Sequence, residues 1–200
     1  MRKKFLRQIL PKGLIPTYLL NWTVIVGSLA ICLFLLPLRL PGVELLGIAP
    51  NWLLIWVVCW SVKRSMGAGL LAGIALGWLL DGMTYPTPTH TWSLVVVGIL
   101  TARLHKTRYL QEDFISIALI VFGMTILAEM IMAVQFAFPA STLNITEAID
   151  KLRLNLAYQW IYHQQTALSS AIVSSLWAPV VYYPLNRWWQ NPPPNPSSSI

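Results

Sequence analysis

Charged residues are scarce in this sequence, and acidic residues are the scarcest. Only 10% of the 200 residues are Asp, Glu, Lys or Arg, whereas soluble domains average roughly 25%. Hydrophobic residues make up 56% of the chain, and the mean hydropathy is +0.60. This composition excludes an ordinary water-soluble domain and predicts an integral membrane protein, with a single domain because no long polar stretch separates the apolar ones.

Cysteine and histidine are also few, and their positions exclude the common metal and disulfide frameworks. Cys32 and Cys59 both lie inside apolar stretches and form no CxxC pair, so neither a disulfide framework nor a cofactor site is predicted. The three histidines, at 90, 105 and 163, lack the close spacing of zinc ligands. We expect no metal and no cofactor.

Motifs for catalysis are missing as well. The sequence contains no GxSxG, no HExxH and no GxxxxGK[ST] phosphate-binding loop. An intramembrane acid pair could support proteolysis, but the motifs that flank such acids in proteases are absent. We therefore expect a protein without enzymatic activity and assign no catalytic residues.

Long apolar runs dominate what is present. A spanning helix needs roughly 20 apolar residues, and six stretches approach this length: 17–38, 43–62, 66–83, 91–104, 114–138 and 166–185. Pro50 is expected either to kink the second stretch or to mark the start of its regular part, and Pro179 to kink the sixth. The predicted fold is an all-α integral membrane protein, a bundle of about six transmembrane helices.

The basic residues lie in short clusters between these stretches and predict an orientation. Lys and Arg are retained on the cytoplasmic side, and six helices put eleven basic residues on one side and only Arg39, Lys151 and Arg153 on the other. Both termini are then cytoplasmic, with the first helix uncleaved. The net charge of +7 could also suggest a nucleic-acid partner, but orientation explains these clusters better, and we predict none.

Two segments outside the six stretches have their own character. From Asn144 to about residue 163, apolar positions recur at steps of three and four, which predicts an amphipathic helix. It would rest on the outer membrane surface or present a face to a partner. The Pro- and Ser-rich residues 186–200 are predicted to form a disordered cytoplasmic tail.

The third stretch carries small residues in a regular pattern that ends in an acid. Gly69, Gly73, Gly77 and Asp81 are spaced by four and fall along one edge of a helix. In hydrocarbon, small residues at this spacing allow two helix backbones to approach closely. We interpret this edge as a surface for helix packing and for docking a partner.

Asp81 and Glu129 are the two acids expected at membrane depth, both in the outer half of the bundle. Such acids could bind a cation, relay a proton or pair with Arg39. For Asp81 we favour a structural role, in which it accepts hydrogen bonds from neighbouring helix ends and loops. For Glu129, a possible buried acid, the structural and functional alternatives stay open.

Several of these motifs, in this order, resemble the rod shape-determining protein MreD family. The resemblance runs from about Pro50 to Arg103 and is carried by Ala49-Pro50-Asn51-Trp52-Leu53-Leu54, by Trp60 and Lys63-Arg64, by the Gly67–Gly77 helix with Leu79-Leu80-Asp81, and by Thr101-Ala102-Arg103-Leu104. It implies a non-enzymatic component of the bacterial inner membrane that serves cell elongation and peptidoglycan synthesis. It also implies MreC as a direct partner, together with MreB, RodA and RodA's transpeptidase partner. By the same resemblance Pro50, Asn51, Gly73, Gly77 and Asp81 serve helix packing and partner docking.

A second hypothesis comes from the size of the predicted bundle. The substrate-binding subunits of energy-coupling vitamin transporters are also bundles of about six helices. Such a subunit would bind a small molecule in its outer half, where Asp81, Glu129, Asn51 and Trp52 could converge. Self-association is compatible with either hypothesis.

Overall fold

The computed structural model describes residues 17–38, 42–84, 90–106, 114–137 and 145–190. Within these ranges, side chains are described for 21–38, 42–84, 90–104, 114–136 and 164–189. Residues 85–89, Arg39, Asn144 and the residues from 191 onward lie outside the described residues.

All regular structure in these ranges is helical. The six helices are α1 (Thr17–Leu35), α2 (Trp52–Ser61), α3 (Met66–Thr84), α4 (His90–Lys106), α5 (Phe114–Ala137) and α6 (Ile145–Gln190). By length and composition, three segments could cross a membrane: Met66–Thr84, Phe114–Phe136 and Gln164–Trp189. The predictions of an all-helical chain and of a membrane protein are confirmed at this level.

The second predicted stretch differs most from its expected form, because 43–62 is helical only over α2. Before α2, the backbone turns at Gly42, Leu46 and Gly47, all with positive φ, and Leu45 pairs with Ile48 in an isolated bridge. Asn51 then caps the helix. Ten residues rise only about 15 Å, half of a bilayer core. Pro50 was expected either to kink this stretch or to mark the start of its regular part. It lies just before the regular helix, as in the second alternative.

The outer amphipathic helix and the sixth stretch form one element. α6 runs without interruption from Ile145 to Gln190 and continues through Pro179 and Pro184. The chain is thus one helix across the predicted boundary near 163–166 and as far as Gln190, past the predicted start of the tail at 186. Periodicity placed a break where polar residues interrupt the apolar pattern, but a helix backbone can continue through such a change because its hydrogen bonds are internal.

The short helix α2 is the centre of the fold. It contacts each of the other five helices, and its residues 52–59 and Ser61 are buried. Trp56 donates an indole hydrogen bond to Ser28 of α1 over 3.0 Å, and the Trp52 ring meets Trp177 of α6 edge to face at 5.6 Å. A helix too short to span a bilayer is thus enclosed by longer ones, the setting in which interrupted helices are tolerated at membrane depth.

The outer faces of the bundle are apolar. Large side chains such as Phe34, Leu71, Ile115 and Leu176 are each more than 60% exposed. A water-soluble monomer rarely exposes so much apolar surface. Lipid is the environment that this surface fits.

Candidate functional site

The glycine edge of α3 packs against α4 of the same chain. A Cβ on Gly73 would lie 2.6 Å from the Leu94 carbonyl oxygen, and Cβ atoms on Gly69 and Gly77 would overlap the backbone of Gly98 and Thr91. Gly98 in turn faces Gly69, so glycines on both helices allow the backbones to meet. The edge therefore joins α3 to α4.

This contact corrects the docking interpretation of Gly69, Gly73 and Gly77. The close helix neighbour that the spacing predicts is present, but it belongs to the chain itself. Because all three glycines are buried against α4, an outside helix cannot use this edge without displacing α4. A partner must bind another surface.

Asp81 lies at the end of this contact between α3 and α4, and it caps α4. Its carboxylate accepts hydrogen bonds from the backbone N–H of His90 at 2.7 Å and of Thr91 at 2.9 Å, and from the Thr91 hydroxyl at 2.6 Å. The His90 Nδ1 lies 3.0 Å from one of its oxygens. The first N–H groups of a helix lack intrahelical partners and favour negative charge. Asp81 has the structural role that the sequence favoured.

Pro50 and Asn51 immediately precede α2, and Asn51 is its N-cap. The Asn51 side-chain oxygen accepts from the Leu54 N–H at 3.1 Å, while the Asn51 N–H donates to the Ser174 hydroxyl of α6 at 2.9 Å. One residue thus starts the central helix and fixes it to the longest helix. Pro50, which has no N–H to satisfy, is buried beside it.

A cavity of about 260 Å³ lies beside these caps; most of its lining is apolar, but six polar side chains reach it, and we call it the polar cavity. Its polar lining is supplied by Asn51, Thr84, His90, Glu129, Thr166 and Ser170, and Pro50 and Trp52 close one side. Five helices, α2 to α6, and the segment before α2 contribute residues to it. Hydroxyl, amide, imidazole and carboxylate groups therefore meet at one end of the bundle.

The cavity brings together three of the four residues expected to converge in the transport hypothesis. Asn51, Trp52 and Glu129 line it, whereas Asp81 lies behind His90 and is engaged in capping. Glu129 also borders a second pocket of about 320 Å³ between α5 and α6. The carboxylate of Glu129 thus lies at the boundary of two cavities.

Residues that the sequence analysis did not identify complete this region. Thr91 and Gly98 contact the glycine edge of α3. His90 contacts Asp81 and also lines the cavity. The Ser174 hydroxyl accepts from the Asn51 N–H. Thr91, Leu94 and Gly98 are spaced by three and four, so the face of α4 that meets α3 was visible as a helical pattern. No local signal marks Ser174, which is distant in sequence from Asn51.

An apolar groove of about 530 Å³ lies between α1 and α6, over Trp52 of α2. It follows α1 from Val24 to Leu35 and α6 from Val181 to Trp188. Gly27 lines it, and a Cβ there would meet nothing within 4 Å. Both helices contact α2, and among the described residues no close backbone contact joins them to each other.

The polar residues described here make hydrogen bonds and cap helices. Those residues hold no group of three or more His, Cys, Asp or Glu side chains that could bind a metal ion. Comparison with protein-family models, with curated proteins and with solved structures finds no match in any of the three.

Proposed function

We propose that this chain is a non-enzymatic membrane scaffold of the bacterial cell-elongation machinery, resembling MreD. It would lie in the inner membrane as a multi-pass protein with both termini cytoplasmic, and would bind MreC directly. Through MreC it would work with MreB, RodA and RodA's transpeptidase partner to support peptidoglycan synthesis and the regulation of cell shape.

The observation that supports this proposal is that the motif residues all cap helices or pack them together. Asn51 caps α2, the glycines join α3 to α4, and Asp81 caps α4. These residues come together around one buried helix, and each is occupied in holding helices in place. A set of residues used in this way supports a rigid binding platform more than a reaction centre.

The open groove between α1 and α6 is where a single transmembrane helix of MreC fits best. Its α1 wall runs from Val24 to Leu35, a rise of about 17 Å, and its lining is apolar apart from Ser28, which is bonded to Ile25 and Trp56. With no larger side chain at Gly27, a helix backbone can approach α1 closely there. The proposed partner contact therefore moves from α3 to α1.

A matched pair of substitutions tests this assignment. Gly27→Leu fills the groove, whereas Gly123→Leu places the same side chain on α5, where a Cβ also meets open space. We expect Gly27→Leu to reduce co-purification of MreC at least about tenfold and Gly123→Leu to leave it unchanged. If both variants, at equal membrane levels, recover equal amounts of MreC, the groove is not the binding site. If the unsubstituted chain recovers no MreC, the scaffold function itself is contradicted.

The polar cavity favours a second candidate, a small-molecule-binding subunit of an energy-coupling vitamin transporter. Its 260 Å³ volume is near the lower limit of ligand pockets, and its polar groups come from distant parts of the chain. A thermal-shift screen of the purified protein with vitamins discriminates the two. Saturable stabilisation by one vitamin, lost in Glu129→Gln, would support transport, and no shift across the panel would leave the scaffold.

A further inference from the structure

Charge is segregated between the two ends of the bundle. The four basic side chains that the structure describes, Lys63, Arg64, Arg103 and Arg187, lie where α2, α4 and α6 end and α3 begins. The three acidic side chains it describes, Glu44, Asp81 and Glu129, lie toward the opposite end. An end rich in Lys and Arg normally faces the cytoplasmic leaflet, whose lipids are anionic.

Arg64 is the cation in this group with the most defined surroundings. Its guanidinium carbon lies 3.7 Å from the centre of the Trp60 ring and 5.7 Å from that of Trp189. The two indole rings meet edge to face at 5.6 Å, and Trp56 stacks on Trp60 at 5.3 Å. Four side chains from α2, α6 and the turn after α2 thus form one cluster.

This arginine makes no ion pair with any carboxylate in the described part of the chain. Partial burial lowers the pKa of its guanidinium from the ordinary value by desolvation, yet arginine stays protonated in proteins. A partly desolvated positive charge without a protein counter-ion favours an anion from outside the chain.

Stacking determines which part of Arg64 is available to that anion. A guanidinium lying on an indole ring uses its face, and the N–H donors along its edge stay in the plane. Two parallel N–H donors match the spacing of two phosphate oxygens. The geometry suits a phosphate group approaching along the membrane surface, with the tryptophans at headgroup depth.

Two further polar atoms near this cluster lack partners. The Trp189 Nε1 and the Asn186 Oδ1, one turn apart on α6, are buried without a hydrogen bond among the described residues. The indole N–H can donate to a phosphate oxygen, and the Asn186 oxygen can accept from a hydroxyl. A phosphate ester that also carries hydroxyls supplies both.

We propose that Arg64, Trp60, Trp189 and Asn186 bind the headgroup of an anionic glycerophospholipid of the phosphatidylglycerol type, in the leaflet at the basic end of the bundle. The phosphate accepts from the edge of Arg64. The Trp189 indole N–H and the Asn186 amide oxygen are buried, so their side chains must turn outward for the indole to donate to the phosphate and for a glycerol hydroxyl to donate to Asn186. This site is separate from the α1–α6 groove and does not depend on the scaffold function.

Native mass spectrometry of the full-length protein from detergent tests the assignment. Samples are titrated with phosphatidylglycerol or, as the zwitterionic comparison, phosphatidylcholine. The unsubstituted chain should retain one phosphatidylglycerol preferentially, and Arg64→Gln should weaken this retention about tenfold or more, because a charged bidentate contact is lost. Arg103→Gln, which removes an equal charge from an exposed residue at the same end, is the matched control and should retain the lipid.

Two more variants keep the test decisive if Arg64→Gln does not fold. Arg64→Lys keeps the charge but loses the planar donor fork, and Trp189→Phe keeps a ring but loses the N–H. Both should weaken phosphatidylglycerol binding severalfold.

Three results would overturn the proposal. The first is unchanged retention in all Arg64 and Trp189 variants, and the second is equal loss in Arg103→Gln, which would indicate diffuse charge attraction. The third is displacement of the lipid by millimolar inorganic phosphate or glycerol 1-phosphate, which would assign the site to a soluble phosphate compound.

Discussion

Asp81 illustrates how an acid can be retained in a membrane bundle without being a ligand site. Its two oxygens accept hydrogen bonds from the N–H groups of His90 and Thr91 and from the Thr91 hydroxyl, and the His90 ring makes a further contact. A carboxylate facing hydrocarbon would cost at least about 2.5 kcal/mol. Here the N-terminus of α4 replaces water, so the acid and the otherwise unpaired N–H groups stabilise each other.

Replacing Asp81 tests whether this capping is its main role. Asp81→Ala leaves the His90 and Thr91 N–H groups without their acceptor, and we expect it to lower the free energy of unfolding by about 2 kcal/mol. Asp81→Asn keeps one acceptor oxygen and should cost less. The measurement is unfolding of the purified protein in micelles, followed by tryptophan fluorescence.

A double-mutant cycle with Thr91→Val provides the control for this prediction. Thr91→Val alone removes the hydroxyl that donates to Asp81. In the Asp81→Ala background it should cost almost nothing, since its acceptor is already gone. Full additivity of the two substitutions would show that Asp81 stabilises the protein by another route.

At the level of the helices, α3 and α4 depend on glycine for their close approach. Gly69, Gly73 and Gly77 on one side and Gly98 on the other leave the backbones in contact. Van der Waals packing of this kind, with no hydrophobic driving force available inside lipid, is what holds membrane helices together.

Gly73→Ala and Gly123→Ala should therefore have opposite effects. Both replace glycine by a better helix former, worth up to about 1 kcal/mol. At Gly73 the new methyl would lie 2.6 Å from the Leu94 carbonyl oxygen and 2.7 Å from the Val95 Cα, whereas at Gly123 it meets nothing within 4 Å. We expect Gly73→Ala to destabilise by about 1–3 kcal/mol and Gly123→Ala to be neutral or stabilising, measured by unfolding in micelles. Equal effects of the two substitutions would contradict the close packing of α3 against α4 at Gly73.

These elements also show what sequence reasoning could and could not predict. The spacing of the α3 glycines predicts a close helix neighbour, but spacing contains no information on which helix that is, so an outside partner was inferred where α4 packs. The capping role of Asp81 follows from chemistry alone, because an acid at this depth needs donors. The link from Asn51 to Ser174 depends on tertiary structure, and nothing local to either residue predicts it.

Helix length was the other quantity that composition could not determine. Val43, Leu45, Leu46, Ile48 and Ala49 precede α2, so hydropathy extended the second predicted span across both segments. The positive φ values at Leu46 and Gly47 and the Asn51 cap instead make the helix begin late, at Trp52. Apolar character reports burial or lipid contact, whereas backbone geometry depends on turn and cap residues.

For the whole molecule, the segregation of charge predicts orientation. With Lys63, Arg64, Arg103 and Arg187 at one end and Glu44, Asp81 and Glu129 toward the other, retention of basic residues in the cytoplasm directs the turn between α2 and α3 inward. The segment before α2 then faces outward. Both proposed sites depend on this orientation, because the lipid site belongs to the basic end and the polar cavity to the acidic end.

Thiol labelling of single substitutions measures this orientation. Ser65→Cys lies in the exposed turn between α2 and α3, and Leu46→Cys lies in the segment before α2, where the native side chain is 83% exposed. A membrane-impermeant maleimide applied to spheroplasts should modify Leu46→Cys at once and Ser65→Cys only after permeabilisation. The unsubstituted chain is the control, since Cys32 and Cys59 are 4% and 0% exposed and should stay unmodified in both conditions. Labelling of Ser65→Cys in sealed spheroplasts would show the opposite orientation. The Arg64 cluster would then lie in the outer leaflet and the polar cavity on the cytoplasmic side.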